Sequence, residues 1–486
     1  MSEQTVRTRF APSPTGFMHV GNLRTALYAF LLARSQKGKF ILRIEDTDQA
    51  RYVDGAVDVI YKTLAAAGIS HDEGPDVGGD YGPYVQSERK HLYLPYAEEL
   101  VKKGAAYYCF CDKHEPAEPA DAEGVVSSGY DGHCRNLDPE VVKANLAAGK
   151  PYVIRQKIDK EGVSTYHDAV FGEITIENKV LDDQILIKRD GMPTYNFANV
   201  IDDHTMGITH VVRGCEYLSS TPKYNLLYRA FGWEIPEYVH LPLIMGRDAD
   251  GNVSKLSKRH GSVSFEGLVA DGYLPAAIVN YIALLGWSPK NDREIFPLSE
   301  LEEIFNVRGL NKSSAVFDYD KLTWMNGEYL KALSPAEFAR VSQPFSGVAG
   351  TELEPKWPLI APLLQQRVGR LTEIPEKIGF LREQPEYTSE LFCNKKSKSN
   401  PETAKAAFAA LIPEFEALAD ADWDVEALNA IMTRYAETLG VKIGQPMWAI
   451  RIGVSGLAVT PGGPAEIMAI LGKEESLRRL REAAAK

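Results

Sequence analysis

The segment from residue 9 to residue 22, Arg-Phe-Ala-Pro-Ser-Pro-Thr-Gly-Phe-Met-His-Val-Gly-Asn, constrains the fold of this chain more than any other. An alternating run, Val6 to Phe10, precedes a loop with two prolines and a glycine, and a stretch of helical period, Leu23 to Arg34, follows it. These periods predict a strand, a tight loop and a helix. Such a helix start suits a nucleotide phosphate, because its first N–H groups are unpaired and its dipole is positive there. His19 adds a hydrogen-bond donor at this opening, and Gly21 lets a flat base approach the backbone.

A second strand is predicted from Lys39 to Ile44, and it ends in the acidic run Glu45-Asp46-Thr47-Asp48. A helical period follows from Asp54 to Ala67 and ends before a glycine. This alternation of strand and helix predicts a parallel sheet and therefore a Rossmann-like α/β domain. Because open sheets of this kind bind ligands at the carboxyl ends of their strands, the acidic run is a candidate part of a binding site.

The sheet pattern is interrupted in the middle of the chain. It breaks between Cys109 and Gly149, where Glu115 to Ala120 is typical of a loop. Strands are predicted beyond it at Tyr152 to Lys157 and Glu173 to Ile176, and Gln184 to Lys188 begins a predicted hairpin. We interpret this region as an α+β insertion. Sheet patterning returns in the strands His210 to Arg213 and Tyr238 to Leu243, which flank a helix at Lys223 to Phe231.

Helical periods dominate the rest of the chain. Leu274 to Leu285 and Val316 to Leu330 are predicted helices, and from Pro335 onward the periods are almost all helical. Between the sheet and these helices lies a dense cationic loop, Lys255-Leu256-Ser257-Lys258-Arg259. A run of this kind is usually a solvated face or a phosphate-binding patch.

Composition bounds the class of protein. The 486 residues exceed what one hydrophobic core holds, so several domains are expected. The net charge of −12 argues against a protein that coats nucleic acid nonspecifically. Five cysteines are too few for a disulfide framework, and no apolar run approaches a membrane span. With a polar start from Met1 to Thr8, these features favour the cytoplasm and no membrane partner.

The motifs taken together have a family resemblance. Ala11 to Gly16, His19 to Asn22 and Arg43 to Asp48 closely resemble the glutamyl/glutaminyl branch of the class I aminoacyl-tRNA synthetases, and Lys255 to Arg259 matches the mobile second signature loop of that class. The resemblance covers nearly the whole chain. Asn22 stands where the class motif usually has a second histidine. The helical end, including residues 444–456, resembles the glutamyl branch rather than its glutaminyl relative, which ends in β-barrels.

The resemblance implies a ligase, usually a monomer, that joins glutamate to AMP from ATP while tRNA is bound, and then transfers it to the terminal adenosine of glutamate tRNA. Whether glutamine tRNA is also charged stays open. Magnesium is expected to accompany ATP. The implied domains are a Rossmann-like catalytic domain in two halves, an insertion that binds the acceptor stem, a helical stem-contact domain that includes the lysine loop, and two helical anticodon-binding domains. The two catalytic halves span residues 1–84 and 197–246, and the insertion spans 85–196. The stem-contact domain spans 247–331, and the two anticodon-binding domains span 332–380 and 381–486.

Site residues follow from chemistry and from family position. Two cations are needed for the carboxylates of glutamate and an anion for its amine; Arg9, Arg213 and Glu45, near strand ends, suit these tasks. Lys258 is the stronger and Lys255 the weaker candidate for stabilising charge on the α-phosphate in the transition state, together with His19. The resemblance adds Ala11, Ser13, Tyr195 and Asn199 to the glutamate site, and Gly21, Asn22, Glu216, Leu243, Leu256, Ser257 and Arg259 to the ATP site. Core packing is the alternative for Tyr195, and a surface ion pair is the alternative for Arg213.

Three cysteines are spaced for a metal. Cys109 and Cys111 are separated by one residue, and Cys134 follows 23 positions after Cys111, a spacing that can form a tetrahedral, structural zinc site. Zinc-binding relatives complete such a set with a histidine, here replaced by Asn136, or with a tyrosine four residues before the last cysteine, which Tyr130 matches. His133 and His114 are alternative fourth ligands, and three ordinary reduced cysteines are the alternative to any site.

Two further points concern RNA. By family position Arg367 is a candidate reader of the third anticodon base, with Arg370 beside it, although a surface arginine of a helix is an equal alternative. A small-molecule adenylating ligase such as pantothenate synthetase shares the nucleotide site, but it would not need the helices from Pro335 to Lys486. A catalytically inactive RNA-binding scaffold is opposed by the intact His19, Lys255 and Lys258.

Overall fold

A computed structural model describes residues 5–48, 53–111, 130–248 and 250–486. The predicted loop Glu115 to Ala120 and the candidate ligand His114 lie outside these residues. The chain divides into two compact units, residues 1–270 with 275–319 and residues 271–274 with 320–486. The finer domain boundaries given above stay predictions.

The first unit contains all the strands of the described chain and half of its helices. Its strands are β1 (Arg7–Phe10), β2 (Lys39–Leu42), β3 (Ala106–Cys109), β4 (Val153–Gln156), β5 (Val163–Asp168), β6 (Gly172–Glu177), β7 (Ile185–Ile187), β8 (His210–Gly214), β9 (Glu237–Leu241), β10 (Ile244–Arg247), β11 (Val253–Lys255) and β12 (Ala315–Val316). Its helices are α1 (Val20–Ser35), α2 (Ala56–Ala66), α3 (Lys90–Lys102), α4 (Pro139–Ala147), α5 (Tyr195–Thr205), α6 (Thr221–Phe231), α7 (Phe265–Ala270), α8 (Pro275–Ala283) and α9 (Leu298–Ile304).

The first strand–helix–strand unit has the predicted form. β1 and β2 pair in parallel, from Arg7 opposite Lys39 to Phe10 opposite Leu42, and α1 connects them. Helix α1 is buried along most of its length, in agreement with the apolar residues that make up most of it. Next to β1, the Thr209 N–H donates to the Arg7 carbonyl at 3.0 Å, just before β8 begins. The predicted parallel sheet is therefore confirmed.

A four-stranded sheet carries the second half of this arrangement. Its order is β6-β5-β9-β8; β8 and β9 are parallel, and β5 adds to β9 in parallel where Asp168 lies opposite Tyr238. Strand β5 was not expected, because its inward positions are Ser164, Tyr166 and Asp168, so polar side chains conceal the alternation of buried and exposed residues. The hairpin β5–β6, in the middle of the predicted insertion, thus extends the sheet that holds β8 and β9.

The predicted hairpin after Gln184 is only partly correct. Strand β7 is followed by a turn, and Ile187 forms one bridge with Pro193. The chain then enters α5 at Tyr195, so a helix replaces the expected second arm. Strands β3, β4 and β7 form a separate sheet, and its core includes Tyr93, Ile154 and Phe197 together with α3, α5 and α6.

The second unit is helical, as predicted. Its helices are α10 (Tyr319–Ala332), α11 (Pro335–Ser346), α12 (Trp357–Leu364), α13 (Ile374–Ile378), α14 (Pro401–Ala417), α15 (Val425–Leu439), α16 (Gly444–Ser455), α17 (Pro464–Leu471) and α18 (Lys473–Ala484). Helix α14 packs against α16 and α18, and one apolar core extends from Leu330 to Ala483. In the described residues, every helix is too short or too polar to cross a bilayer.

Candidate active site

One cavity of the first unit, about 450 Å³ in volume, lies at the carboxyl ends of β1, β8 and β9 and at the amino end of α1. Thirteen of the candidate residues line it: Arg9, Ala11, Ser13, His19, Gly21, Asn22, Glu45, Tyr195, Arg213, Glu216, Leu243, Lys255 and Leu256. The carboxyl ends of parallel strands meet at one edge of a sheet, which explains how residues so distant in sequence come together.

Four candidates lie outside the lining. Asn199 is buried in α5, where its side-chain amide donates to the Tyr195 carbonyl at 2.9 Å. Ser257, Lys258 and Arg259 belong to the loop beyond β11, and the Lys258 and Arg259 side chains are exposed. The structure therefore brings Lys255, but not Lys258, to the cavity wall.

His19 caps the first helix. Its Nδ1 accepts a hydrogen bond of 3.0 Å from the Gly21 N–H, so in the neutral ring the proton is on Nε2. Burial and the nearby Lys255 ammonium lower the pKa of His19 against the raising effect of a hydrogen bond with the Leu256 backbone, which favours the neutral ring. The imidazole thus carries one N–H donor that the cap does not use. This is the donor that the sequence predicted at the opening of α1.

The lysine loop is held at both ends. On one side β11 pairs with β10, and the Leu256 N–H donates to the Ile244 carbonyl at 3.0 Å. On the other side the Val20 N–H, at the start of α1, donates to the Val263 carbonyl at 2.8 Å. Between these ends Lys258 begins a turn of 3-10 helix that extends to His260. The two segments assigned from sequence to one nucleotide site are therefore neighbours.

Buried His260 stabilises this loop. Its Nδ1 accepts from the Ser257 N–H at 3.0 Å, and its ring lies against Gly246, where a Cβ would come within 2.6 Å of the imidazole. A side chain at position 246 would displace the ring. The base of the loop is thus fixed, while the cationic side chains at its tip face solvent.

Arg9 is buried in an ion-pair network. Its Nε donates to Asp203 Oδ1 at 3.1 Å, and Arg43 Nη1 donates to the same oxygen at 2.7 Å. Arg43 also donates through Nη2 to Glu45 Oε1 at 2.8 Å. Arg89 Nε donates to Asp202 Oδ1 at 2.7 Å in the same cluster. Three guanidinium groups therefore face three carboxylates, which allows all six charges to be buried.

Glu45 lies at the edge of this network and in the cavity wall. Burial raises the pKa of the Glu45 carboxyl, and Arg43 acts against that increase. The described hydrogen bonds to this carboxylate, from Arg43 and Gln86, all reach Oε1. A cation in the cavity would add a further opposite charge and favour the ionised carboxylate.

Arg213 is held by neutral groups. Its Nε donates to His240 Nε2 at 3.1 Å, and its Nη2 donates to Thr221 Oγ1 at 2.6 Å. Its guanidinium carbon lies 4.9 Å from the ring centres of Tyr217 and Tyr224. The side chain is 5% exposed, so the alternative of a surface ion pair is wrong. Tyr195 is only partly buried, and its ring centre lies 5.7 Å from that of Tyr217 with the two ring planes tilted; Tyr195 is therefore in the cavity wall and not in the core.

Comparisons with known proteins agree with this site. A family model of the catalytic domain of class I tRNA synthetases (E and Q) matches residues 5–324, and an anticodon-binding-domain model matches residues 320–484. A protein named glutamate–tRNA ligase from Clostridium novyi is 55% identical over 486 residues, which cover 99% of this chain and 98% of the relative. This chain belongs to the glutamate–tRNA ligase family. A second protein named glutamate–tRNA ligase, from Clostridium kluyveri, is 52% identical over 98% of this chain and 96% of the relative.

Solved structures of the family have the same fold. A glutamate tRNA ligase from Elizabethkingia meningosepticum, crystallised with its amino acid, superposes with a TM-score of 0.87 at 36% identity over all of both chains. Glutamate-tRNA synthetase from Elizabethkingia anophelis superposes with a TM-score of 0.86 at 35% identity, covering 99% of this chain and 100% of that one. The predicted fold and family are confirmed, and so is membership of a ligase class. The anticodon-domain match disfavours an RNA-free adenylating ligase.

Sequence reasoning missed several wall residues of this ligase. Thr15, Arg24, Thr25 and Tyr217 also line the cavity. Arg24 and Thr25 lie one turn after Gly21 on α1, so helical spacing from the predicted phosphate-binding opening could have identified them. Thr15 is in the predicted loop itself. Tyr217 follows Arg213 by four positions and has no local motif that marks it.

The three candidate zinc ligands of the ligase lie together. The sulfur atoms of Cys109, Cys111 and Cys134 are all within 4.8 Å of one another, and those of Cys111 and Cys134 are 3.4 Å apart. Tyr130 Oη lies 3.4 Å from Cys109 Sγ and accepts from the Cys134 N–H at 2.9 Å. His133 is exposed and is not among the grouped donor atoms.

The two anticodon candidates are in the second unit. Arg367 is exposed in the turn that follows α12, and Arg370 is half-buried farther along the same segment. Neither residue is on a helix, so the alternative that they are arginines on the surface of a helix is wrong. Arg370 Nε lies 3.6 Å from Glu373 Oε1. Burial, together with the charge of Arg367, lowers the pKa of the Arg451 guanidinium.

Proposed function

We propose that this chain activates L-glutamate with ATP and transfers the glutamyl group to the terminal adenosine of glutamate tRNA. The observation that carries the proposal is the composition of the cavity wall. A buried arginine without a carboxylate partner among the described residues, Arg213, shares the cavity with Glu45 and with the phosphate-facing groups His19 and Lys255. Such a wall offers separate partners for a carboxylate, an ammonium group and phosphates.

The first reaction needs charge stabilisation more than a protein nucleophile. The α-carboxylate oxygen of glutamate attacks the α-phosphorus of ATP; a new P–O bond forms, and the bond to pyrophosphate breaks. Negative charge develops on the phosphate oxygens, where the His19 Nε2–H and the Lys255 ammonium can stabilise it. Lys258 would add a second ammonium when the exposed loop tip closes on the nucleotide. In the second reaction a terminal ribose hydroxyl of tRNA displaces AMP.

The remaining assignments are proposals of the same kind. We assign glutamate to Arg9, Ala11, Ser13, Glu45, Tyr195, Asn199 and Arg213, and ATP to His19, Gly21, Asn22, Glu216, Leu243, Lys255, Leu256, Ser257, Lys258 and Arg259. Of these, Asn199 is outside the cavity lining, and its side-chain amide is engaged within α5. A small shift of α5 side chains would be needed to free it.

Magnesium would be carried mainly by ATP. Carboxylates of the cavity wall come from Glu45 and Glu216, and Arg43 already pairs with Glu45. Glu216 would then be the wall carboxylate left to an ion that keeps water and phosphate oxygens as its other ligands. Bound there, magnesium would neutralise phosphate charge.

Zinc fits the cysteine cluster. The three sulfur atoms lie within 4.8 Å of one another and one pair is 3.4 Å apart, which is compatible with the roughly 3.8 Å expected between thiolates at tetrahedral zinc. Cys109, Cys111 and Cys134 would hold the ion with Tyr130 as the fourth ligand, and its role would be structural. Metal analysis tests this: one zinc per chain is expected, with loss in Cys134→Ser and retention in His133→Ala. Absence of zinc from protein purified without chelators would contradict the site.

RNA recognition and physical state complete the proposal. Arg367, with Arg370 beside it, would contact the anticodon, since an exposed arginine can donate two hydrogen bonds to a base edge. We propose a cytoplasmic monomer, which light scattering of the purified chain tests. A mass near twice 53.8 kDa would contradict the monomer.

One assay tests the activity as a whole. Purified glutamate tRNA and glutamine tRNA are each incubated with ATP and labelled glutamate, and the exchange of pyrophosphate into ATP is measured with and without tRNA. Charging of glutamate tRNA and tRNA-dependent exchange are expected. Exchange that proceeds equally without tRNA would favour a small-molecule adenylating ligase, and the glutamine tRNA arm decides whether one or both tRNAs are substrates.

A further inference from the structure

We propose that His240, held by Asp168, is a positioning residue that fixes Arg213 for substrate binding and leaves its positive charge unneutralised. This inference rests on the proposed function, in which Arg213 binds a carboxylate of glutamate. The three side chains form a relay behind the cavity: Asp168 contacts His240, His240 contacts Arg213, and Arg213 lines the wall.

The relay is buried and short. Asp168 Oδ2 and His240 Nδ1 are 2.6 Å apart, and the side chains of both residues are fully buried. The opposite ring nitrogen, His240 Nε2, lies 3.1 Å from Arg213 Nε. Asp168 ends β5, and His240 is in the adjacent parallel strand β9, so the backbone of the sheet sets these distances.

Donor and acceptor roles along the relay follow from chemistry. A guanidinium can only donate, so His240 Nε2 must accept from Arg213. A carboxylate can only accept, so His240 Nδ1 must carry the proton and donate to Asp168. One neutral tautomer satisfies both contacts. A protonated ring would place a donor against the Arg213 N–H and a second positive charge beside the guanidinium.

The surroundings favour this state. Burial lowers the pKa of His240 to about 4, against the raising effect of Asp168. Asp168 Oδ1 accepts from the backbone N–H groups of Val170 and Phe171 at 2.9 and 2.8 Å, which support its ionised form. The carboxylate charge is thus satisfied by hydrogen bonds at the far end of the relay, and a neutral ring separates it from Arg213.

Arg9, the other arginine assigned to glutamate, has a carboxylate partner where Arg213 has neutral ones. Its guanidinium donates to both oxygens of Asp203, so a carboxylate neutralises it before any substrate arrives. Arg213 has His240 and Thr221 as hydrogen-bond partners and tyrosine ring faces around it. Ring faces attract a cation but do not cancel its charge. A substrate carboxylate would therefore gain more from Arg213 than from Arg9, because desolvated opposite charges interact strongly.

Two amide substitutions separate the contacts of the ring. In His240→Asn the shorter amide reaches the Nδ1 position and can keep the bond to Asp168, but nothing replaces the acceptor at Nε2. In His240→Gln the longer amide places an oxygen near the Nε2 position, where Arg213 can donate. We expect His240→Asn to raise KM for glutamate roughly tenfold or more, as for loss of a hydrogen bond to a charged group. His240→Gln should restore KM to within about threefold of wild type, and KM for ATP should change in neither variant.

The controls keep two hypotheses distinct. Wild-type protein that does not charge glutamate tRNA would reject the proposed function. A wild type that charges tRNA, with equal KM for glutamate in His240→Asn and His240→Gln, would reject the relay alone, and so would a parallel increase in KM for ATP. If His240→Asn does not fold, NMR of the ring nitrogens of ¹⁵N-histidine-labelled wild type tests the tautomer of His240. The His240 signals are assigned by their absence from the spectrum of His240→Gln. A proton on Nδ1 and none on Nε2 is expected, and the reverse overturns the inference.

Discussion

Arg9 and Arg43 donate to the same oxygen of Asp203, at 3.1 and 2.7 Å, and all three residues are buried. Burial alone would raise the pKa of the Asp203 carboxyl, but these two guanidinium groups hold it below its usual value. The carboxylate therefore organises two cations at once: Arg9 in the cavity wall and Arg43, which in turn holds Glu45. Its removal should disturb the wall and the stability of the first unit together.

Asp203→Asn is expected to lower the free energy of unfolding of this region by about 3–5 kcal/mol, because it leaves an excess buried positive charge. Hydrogen exchange of peptides covering β1 and α5 measures the effect locally. The matched control is Glu300→Gln, which breaks an exposed pair with Arg293 at 2.5 Å and should cost less than about 1 kcal/mol. Equal effects of the two substitutions would contradict the role of the buried network.

Lys258→Ala is expected to reduce tRNA-dependent ATP–pyrophosphate exchange by roughly 10²–10³-fold, the usual cost of one group that stabilises transition-state charge. The affinity for tRNA should change little, since an exposed lysine contributes one phosphate contact at most. Lys179→Ala, at another exposed lysine, is the control and should leave exchange unchanged. Exchange at the wild-type rate in Lys258→Ala would remove Lys258 from the mechanism.

Arg367→Ala is expected to raise KM for glutamate tRNA about 5- to 150-fold, which corresponds to the roughly 1–3 kcal/mol of a bidentate contact to a base. KM for ATP should not change. Arg434→Ala serves as the control, because Arg434 is also an exposed arginine of the second unit but pairs with Glu414. A similar KM for tRNA in both variants would place anticodon recognition elsewhere.

Stability should depend on pH through His240. Its pKa of about 4 in the folded chain is below the roughly 6.5 of an unfolded histidine, so the unfolded chain takes up a proton first as the pH falls. The stabilisation is therefore present above pH 6.5 and is lost toward pH 4. From pH 7 to pH 5, wild type should lose about 2 kcal/mol more than His240→Gln.

Urea unfolding of both proteins at the two pH values measures this difference. The other histidines with lowered pKa values, His19, His204 and His210, titrate in both proteins, so their contributions cancel. The same pH dependence in wild type and His240→Gln would mean that His240 is not the titrating group.

The sequence predicted the parts of the site that depend on local signals. The strand, loop and helix around His19 were correct because proline, glycine and helical period all act within a few residues. Glu45 and Arg213 were placed by the rule that ligands bind at strand ends. The relay behind Arg213 had no such signal, because Asp168 is on a strand whose inward side chains are polar and becomes a neighbour of His240 only through sheet pairing. Lys258 was assigned to the nucleotide site, yet its side chain is outside the wall.

The hairpin β5–β6 belongs to a stretch of chain expected to serve RNA, yet Asp168, the last residue of β5, contacts His240 behind the cavity-wall residue Arg213. Exchange of this stretch between members of the family would then transplant part of the substrate affinity along with any RNA contacts. If the relay acts as proposed, the two specificities would not be independent modules, and a graft without Asp168 would remove the support of Arg213.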